Sequence, residues 1–171
     1  RGEIVRRMQA AMAAAVAEAW EARAEDLPIE SPEDLVTLAS IVEKETGLSD
    51  ERAEVAGVFV NRLRLGMKLQ SDPTTIYAVT GGKGTLGRGL RRSELAKASP
   101  YNTYRIDGLP PGPIANPGKA ALMAVAQPAE TDALFFVADG SGGHAFATTL
   151  AEHRRNVARW RKIERERKAQ Q

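Results

Sequence analysis

Ser31-Pro32-Glu33-Asp34-Leu35-Val36-Thr37-Leu38-Ala39-Ser40-Ile41-Val42-Glu43-Lys44-Glu45-Thr46-Gly47 carries the signals of a complete helix, from cap to stop. Serine caps a helix by accepting from an orphaned backbone N–H, proline suits the first helical position, and Glu33 and Asp34 meet the positive end of the helix dipole. One face of the segment is apolar, and Gly47 supplies a C′ residue at which the helix stops. Upstream, Val5, Met8, Met12, Val16 and Trp20 recur at spacings of three and four between Ile4 and about Ala24, a second amphipathic helix that Asp26-Leu27-Pro28 terminates. Downstream, Ser49 or Asp50 can cap a third helix carrying Val55, Val58, Phe59 and Leu63 and closed by Gly66. Three helices in succession predict an α-rich fold.

Between Met67 and Pro117 the periodicity breaks up. Gly81, Gly82, Gly84, Gly87 and Gly89 crowd together, and Leu109-Pro110-Pro111-Gly112-Pro113 forbids regular structure, so this region reads as long ordered loops. Regularity returns with a short helix from about Lys119 to Ala126. Leu134 to Ala138 and Ala145 to Thr149 then read as paired strands around an Asp139–His144 loop, and a basic helix runs from about Leu150 to Lys168. The expected class is mainly α (α+β), with one small antiparallel hairpin. A length of 171 residues fits one domain, or one with a small lobe.

Composition narrows the partners. At 43% hydrophobic and 27% charged, the chain is ordinary for a folded protein and unlike a disordered one. Its 24 basic and 22 acidic residues balance to +2, which suggests no nucleic acid. The absence of cysteine rules out disulfides, thiolate nucleophiles and cysteine-held metals. With His144 and His153 the only histidines, no metal site and no cofactor are expected. There is no run of about 18 apolar residues to span a membrane. Arg1 begins directly in a helical pattern, which suggests a piece of a longer protein.

Chemistry is expected at the end of the second helix. A carboxyl there feels the negative end of the dipole, and burial also disfavours its ionisation, so both favour the protonated acid that glycosidic cleavage requires. At about 100° per residue, Glu45 falls between Leu38 and Ile41 while Glu43 falls between Val36 and Ala39, so periodicity leaves the two tied. Both can equally be surface carboxylates. Gln70 and Asp72 are loop residues able to hydrogen-bond a ligand, although Asp72 before Pro73 also suits a turn. Asn61, on an otherwise apolar helix, is either a buried hydrogen-bonding residue or a substrate contact. His144 can line a sugar cleft or close the hairpin. The glycines from 81 to 89 lack the pattern of a phosphate loop and read as a mobile flap. Ser141 near His144 has no nucleophile-elbow context. Val157, Trp160 and Ile163 pack the last helix on the domain, while its basic face can remain solvated or meet anionic wall polymer or lipid.

Glu45-Thr46-Gly47 at the end of an apolar helix resembles the Glu-Ser signature of lytic transglycosylases. Val58-Phe59-Val60-Asn61-Arg62-Leu63 and Leu69-Gln70-Ser71-Asp72-Pro73-Thr74 resemble, more specifically, the endolytic murein transglycosylase (YceG-like) family. So do Tyr101-Asn102-Thr103-Tyr104, Gly108-Leu109-Pro110-Pro111-Gly112, Phe136-Val137-Ala138-Asp139-Gly140 and Gly143-His144-Ala145-Phe146. The likeness covers a core of residues 31 to 160, with residues 1 to 30 as leading helix and linker.

The resemblance implies a lysozyme-like domain in which Glu45, not Glu43, is the catalytic acid/base. The resemblance also places Tyr101-Asn102 near that carboxyl; with them, Asn61, Gln70, Asp72, Tyr104 and His144 are the residues expected in the substrate groove, and the Tyr101 hydroxyl is expected to orient Glu45. Thr46 in place of serine, and Thr103-Tyr104 after Asn102, depart from the wider superfamily pattern. The implied substrate is the peptidoglycan glycan strand, with synthases as partners. The implied location is the extracytoplasmic face of the bacterial cytoplasmic membrane, reached through an upstream anchor and a LysM-like region outside this sequence. Two other classes fit the same residues: a glycan-binding module without catalysis, and a hydrolytic muramidase with Asp72 as second carboxylate.

Overall fold

A computed structural model describes residues 2–169. Seven helices and one hairpin follow in the order α1 (Gly2–Glu21), α2 (Pro32–Glu45), α3 (Arg52–Arg64), α4 (Asp72–Thr80), α5 (Arg92–Ala96), α6 (Lys119–Ala126), β1 (Phe135–Ala138), β2 (His144–Ala147) and α7 (Leu150–Ala169). The protein is mainly α with a small antiparallel sheet. No helix among the described residues is long and apolar enough to cross a membrane.

Helix α2 begins as its sequence dictates. Ser31 Oγ accepts from Asp34 N at 3.1 Å, and Asp34 Oδ2 accepts from Glu30 N at 3.0 Å. Its Leu35, Leu38, Ala39, Ile41 and Val42 are buried against α1, α3 and α6. Helix α6 contributes Ala121, Leu122, Val125 and Ala126 to the same core; an eight-residue helix so apolar is stable only when others surround it. Where the chain leaves α6 it crosses α3 closely. A Cβ on Gly57 would stand 2.7 Å from the Ala129 carbonyl oxygen, so only glycine permits that crossing.

Phe135 pairs with Ala147 and Ala138 with His144 in the hairpin. Phe136 meets Phe59 edge-on at 5.7 Å, which fastens the sheet to α3, and α7 packs over both strands. The hairpin thereby faces the end of α2 across a cleft that Glu45, Phe136 and His144 line together.

Three local expectations need correction. Helix α2 ends at Glu45 with Gly47 as its C′ residue, but Thr46 is extended (φ −138°, ψ 136°) and Gly47 does not take the left-handed cap conformation. Neither Ser49 nor Asp50 caps α3. Glu51 holds the N-cap position without a side-chain cap, because its carboxylate is drawn away to His144. The supposedly irregular Met67 to Pro117 region contains α4 and α5, so Asp72 opens a helix instead of lying in a loop. These helices have nine and five residues, too short to show an apolar stripe, and α4 buries the polar Thr74 and Thr75.

Candidate active site

Tertiary structure separates the two glutamates that periodicity left tied. Glu43 Oε2 accepts from Gly118 N at 3.1 Å, so its carboxylate caps the approach to α6. Glu45 instead faces the cleft it shares with the hairpin, and Ser71 Oγ donates to its Oε1 at 2.5 Å. Ser71 is only 2% exposed and is fixed on several sides. Its N donates to Thr103 Oγ1 at 2.9 Å, its carbonyl oxygen accepts from Thr74 Oγ1 at 2.7 Å, and the Thr74 and Thr103 hydroxyls bond to each other at 2.7 Å. Just before it, Gln70 has φ +52°, the one positive value on a non-glycine among the described residues. That strained backbone is secured by Gln70 N donating to Thr103 O at 3.1 Å, and it aims Ser71 at the carboxyl.

Removal from water dominates the electrostatics of Glu45 and pushes its pKa up to about 7. The Ser71 hydrogen bond opposes the rise, the charge of Asp72 adds to it, and His144 and Arg62 oppose it more weakly. Arg62 is 7% exposed, with Nε donating to Leu134 O at 2.7 Å and Nη1 to Lys68 O at 3.0 Å. It therefore joins α3 to the hairpin while placing positive charge behind the site. Burial, and then the hydrogen bond to Asp72, push the Tyr104 phenol well above its ordinary range, so it donates to Asp72 Oδ1 at 2.6 Å as the neutral group. His144 is gripped twice by Glu51, whose Oε1 accepts from His144 N and whose Oε2 lies 2.8 Å from Nδ1.

Glu45 lines a cleft of about 470 Å³ together with Gln70, Asp72, Tyr104, Phe136 and His144. Glu45 and His144 also line a second hollow, of about 240 Å³, bordered by Thr46, Gly47 and the glycines of the hairpin loop. The two openings thus meet at the carboxyl. A proton donor at such a junction can act on a bond in the middle of an extended chain.

Five of the eight residues expected at the site come together there: Glu45, Gln70, Asp72, Tyr104 and His144. Three do not. Tyr101 packs at a tilt against Tyr77, ring centroids 4.8 Å apart, and its hydroxyl points toward Gly112, so Ser71 supplies the hydrogen bond to Glu45 expected of Tyr101. Asn102 is fully buried, with Nδ2 donating to the carbonyls of Leu95 and Lys97 and Oδ1 accepting from Thr75 and Tyr104 N; no polar atom is left for a ligand. Asn61 donates to Thr131 O at 2.7 Å and Ala133 O at 3.2 Å, holding the segment before β1. The segment from Gly81 to Gly89 borders a separate hollow with Tyr77 and Ile114 and stands clear of the Glu45 cleft.

Sequence reasoning passed over Ser71, Arg62 and Glu51. Ser71 and Arg62 lay inside recognisable motifs, but nothing local distinguishes a buried arginine or a carboxyl-facing serine from a surface one. Glu51 carries no local signal, because its partner His144 is 93 positions away.

A model of the YceG-like family matches residues 1–159. The chain belongs to the YceG-like family. An endolytic murein transglycosylase of Bacillus subtilis (strain 168) is 43% identical over 119 residues, covering 70% of this chain and 32% of that protein. One from Streptococcus pneumoniae serotype 2 is 39% identical over 131 residues, covering 73% of this chain and 23% of the other. The crystal structure of a YceG-like protein from Listeria monocytogenes superposes with a TM-score of 0.67 at 40% identity, over 73% of this chain and 40% of its own. This YceG-like chain therefore spans about a third of the Bacillus relative and about a quarter of the streptococcal one.

Proposed function

We propose that this chain is the catalytic part of an endolytic peptidoglycan transglycosylase, with Glu45 as its single acid/base. The observation that carries the reading is a carboxyl whose pKa is pushed up to about 7 at the junction of two clefts. The names of its longer relatives agree with it. Glu45 donates its proton to the oxygen linking N-acetylmuramic acid to N-acetylglucosamine as the bond from C1 breaks. The C6 hydroxyl of the same muramic residue then attacks C1 and returns its proton to Glu45, closing a 1,6-anhydro ring. One carboxyl suffices because the nucleophile belongs to the substrate, where favourable geometry contributes roughly 7–11 kcal/mol.

Gln70, Asp72, Tyr104 and His144 are the sugar contacts on this reading, and Ser71 positions the acid. The substrates are nascent glycan strands, so the site of action is the extracytoplasmic face of the cytoplasmic membrane, beside the synthases that extend the strands. Mass spectrometry of the products from purified strands tests the chemistry. New ends should be lighter by one water than reducing ends; reducing ends would make the protein a hydrolase.

The pH dependence follows from the same carboxyl. Glu45 must begin protonated, so activity is present below pH 7 and kcat/KM should fall as pH rises through about 7. Ser71 stabilises the ionised form by its hydrogen bond, so Ser71→Ala should move the alkaline limb to higher pH. A limb that stays in place in the variant would remove Ser71 as the positioning residue.

A further inference from the structure

Residues 160–169 lie beyond the stretch that the family model matches, yet they build one wall of the groove. The smaller hollow runs from Glu45 and His144 to Trp160 and Arg167 of α7. Gly47, Gly140, Gly142 and Gly143 line it as well, so no side chain from these positions fills the hollow. The hairpin loop is fastened to α7, for the Arg167 guanidinium donates to Gly140 O. Gly140 has φ +91° and approaches Ile163 so closely that a Cβ would stand 3.1 Å from its side chain. Arg167 also lies over the Trp160 ring at 5.9 Å, so ring and guanidinium form one wall.

On α7, Lys162 and Lys168 each lie within 4 Å of a glutamate of the same helix, whereas among the described residues no carboxylate pairs with their neighbour Arg167. One contact to Gly140 leaves most of its fork of N–H donors free, and that fork matches a carboxylate in geometry. An indole face beside it offers the flat apolar surface on which the C–H side of a sugar ring packs.

We propose that this hollow is the saccharide subsite adjoining Glu45, with Trp160 as its platform and Arg167 as the reader of a carboxylate on the muramic residue bound there. The inference rests on the transglycosylase reading of Glu45. The carboxylate has two sources: the lactyl acid of a strand stripped of peptides, or an acid of the stem peptide.

Calorimetry on the full chain carrying Glu45→Gln, which holds strands uncut, tests the proposal with three ligands of equal sugar number. These are peptide-bearing strand fragments, amidase-stripped fragments, and uncharged N-acetylglucosamine oligomers. Adding Arg167→Gln should weaken binding of a carboxylate-bearing ligand about tenfold and change the uncharged oligomer by less than about twofold. Which charged ligand suffers identifies the acid. Arg167→Lys, which keeps the charge, should retain the preference for charged ligands, and Trp160→Ala should weaken all three. Equal losses for charged and uncharged ligands would reduce Arg167 to a fastener of the hairpin, and no loss for any would remove the subsite; either overturns the proposal. If Glu45→Gln still cleaves strands, the transglycosylase reading fails by itself, a result separate from the binding comparison.

Discussion

Glu45→Gln is expected to lower strand cleavage by about 10²–10⁴-fold, the usual contribution of general acid–base catalysis, and to eliminate the anhydro product. Glutamine keeps the size and an acceptor for Ser71 but cannot donate a proton and regain it. Glu43→Gln should retain substantial activity, because an amide oxygen can still accept from Gly118 N. Loss of folding is separable from loss of chemistry. The folded pKa of Glu45 is raised from 4.5 to about 7, so between those values the unfolded chain has released a proton that the folded chain still holds. Stability from this group is therefore full below pH 4.5 and declines as pH rises through about 7. Glu45→Gln removes that decline, and its thermal midpoint above pH 7 should equal or exceed that of the parent. Melting curves and product assays on the two variants check both statements. A dead Glu43→Gln beside an active Glu45→Gln would reverse the assignment; two active variants would refute the mechanism.

Asn102→Ala is expected to have the largest effect on stability. Its amide satisfies the carbonyls of Leu95 and Lys97 near α5, bonds Thr75 in α4, and accepts from Tyr104 N, all without solvent. Deleting it leaves a small cavity and several unpaired buried groups, which should cost about 3 kcal/mol. For a chain of this length that lowers the melting midpoint by roughly 6–12 °C. Glycan binding, measured where the variant remains folded, should change by less than about threefold, since Asn102 presents nothing to the cleft. Strong loss of binding with an unchanged midpoint would restore Asn102 as a substrate contact. The structure thus gives a mechanical meaning to the Tyr101-Asn102-Thr103-Tyr104 motif. Asn102 and Thr103 knit the loop together, and Tyr104 reaches the cleft.

Local signals carried the regular parts of the fold. Ser31 and Pro32 announce α2 because a cap and a fixed φ act within one turn. The limits of α6 were readable from an uninterrupted apolar run, and the hairpin from two short β-prone stretches around a glycine-rich loop. Helices α4 and α5 were not readable, since what holds them is remote in sequence: Thr74 bonds Thr103, Thr75 bonds Asn102, and Asn102 binds the carbonyls of Leu95 and Lys97.

Residue patterns alone specify a mainly α chain with one hairpin, and a helix ending in two candidate glutamates. Only the tertiary structure distinguished those glutamates, exchanged Ser71 for Tyr101 beside the acid, and brought α7 to the groove. A pKa depends on what surrounds a carboxyl in space. The Ser71 that bonds Glu45 is 26 positions away in sequence, and the Glu51 that steadies His144 is 93 positions from it. No periodicity along the chain encodes such distances; they are set by the packing of α2, α3 and the hairpin into one core.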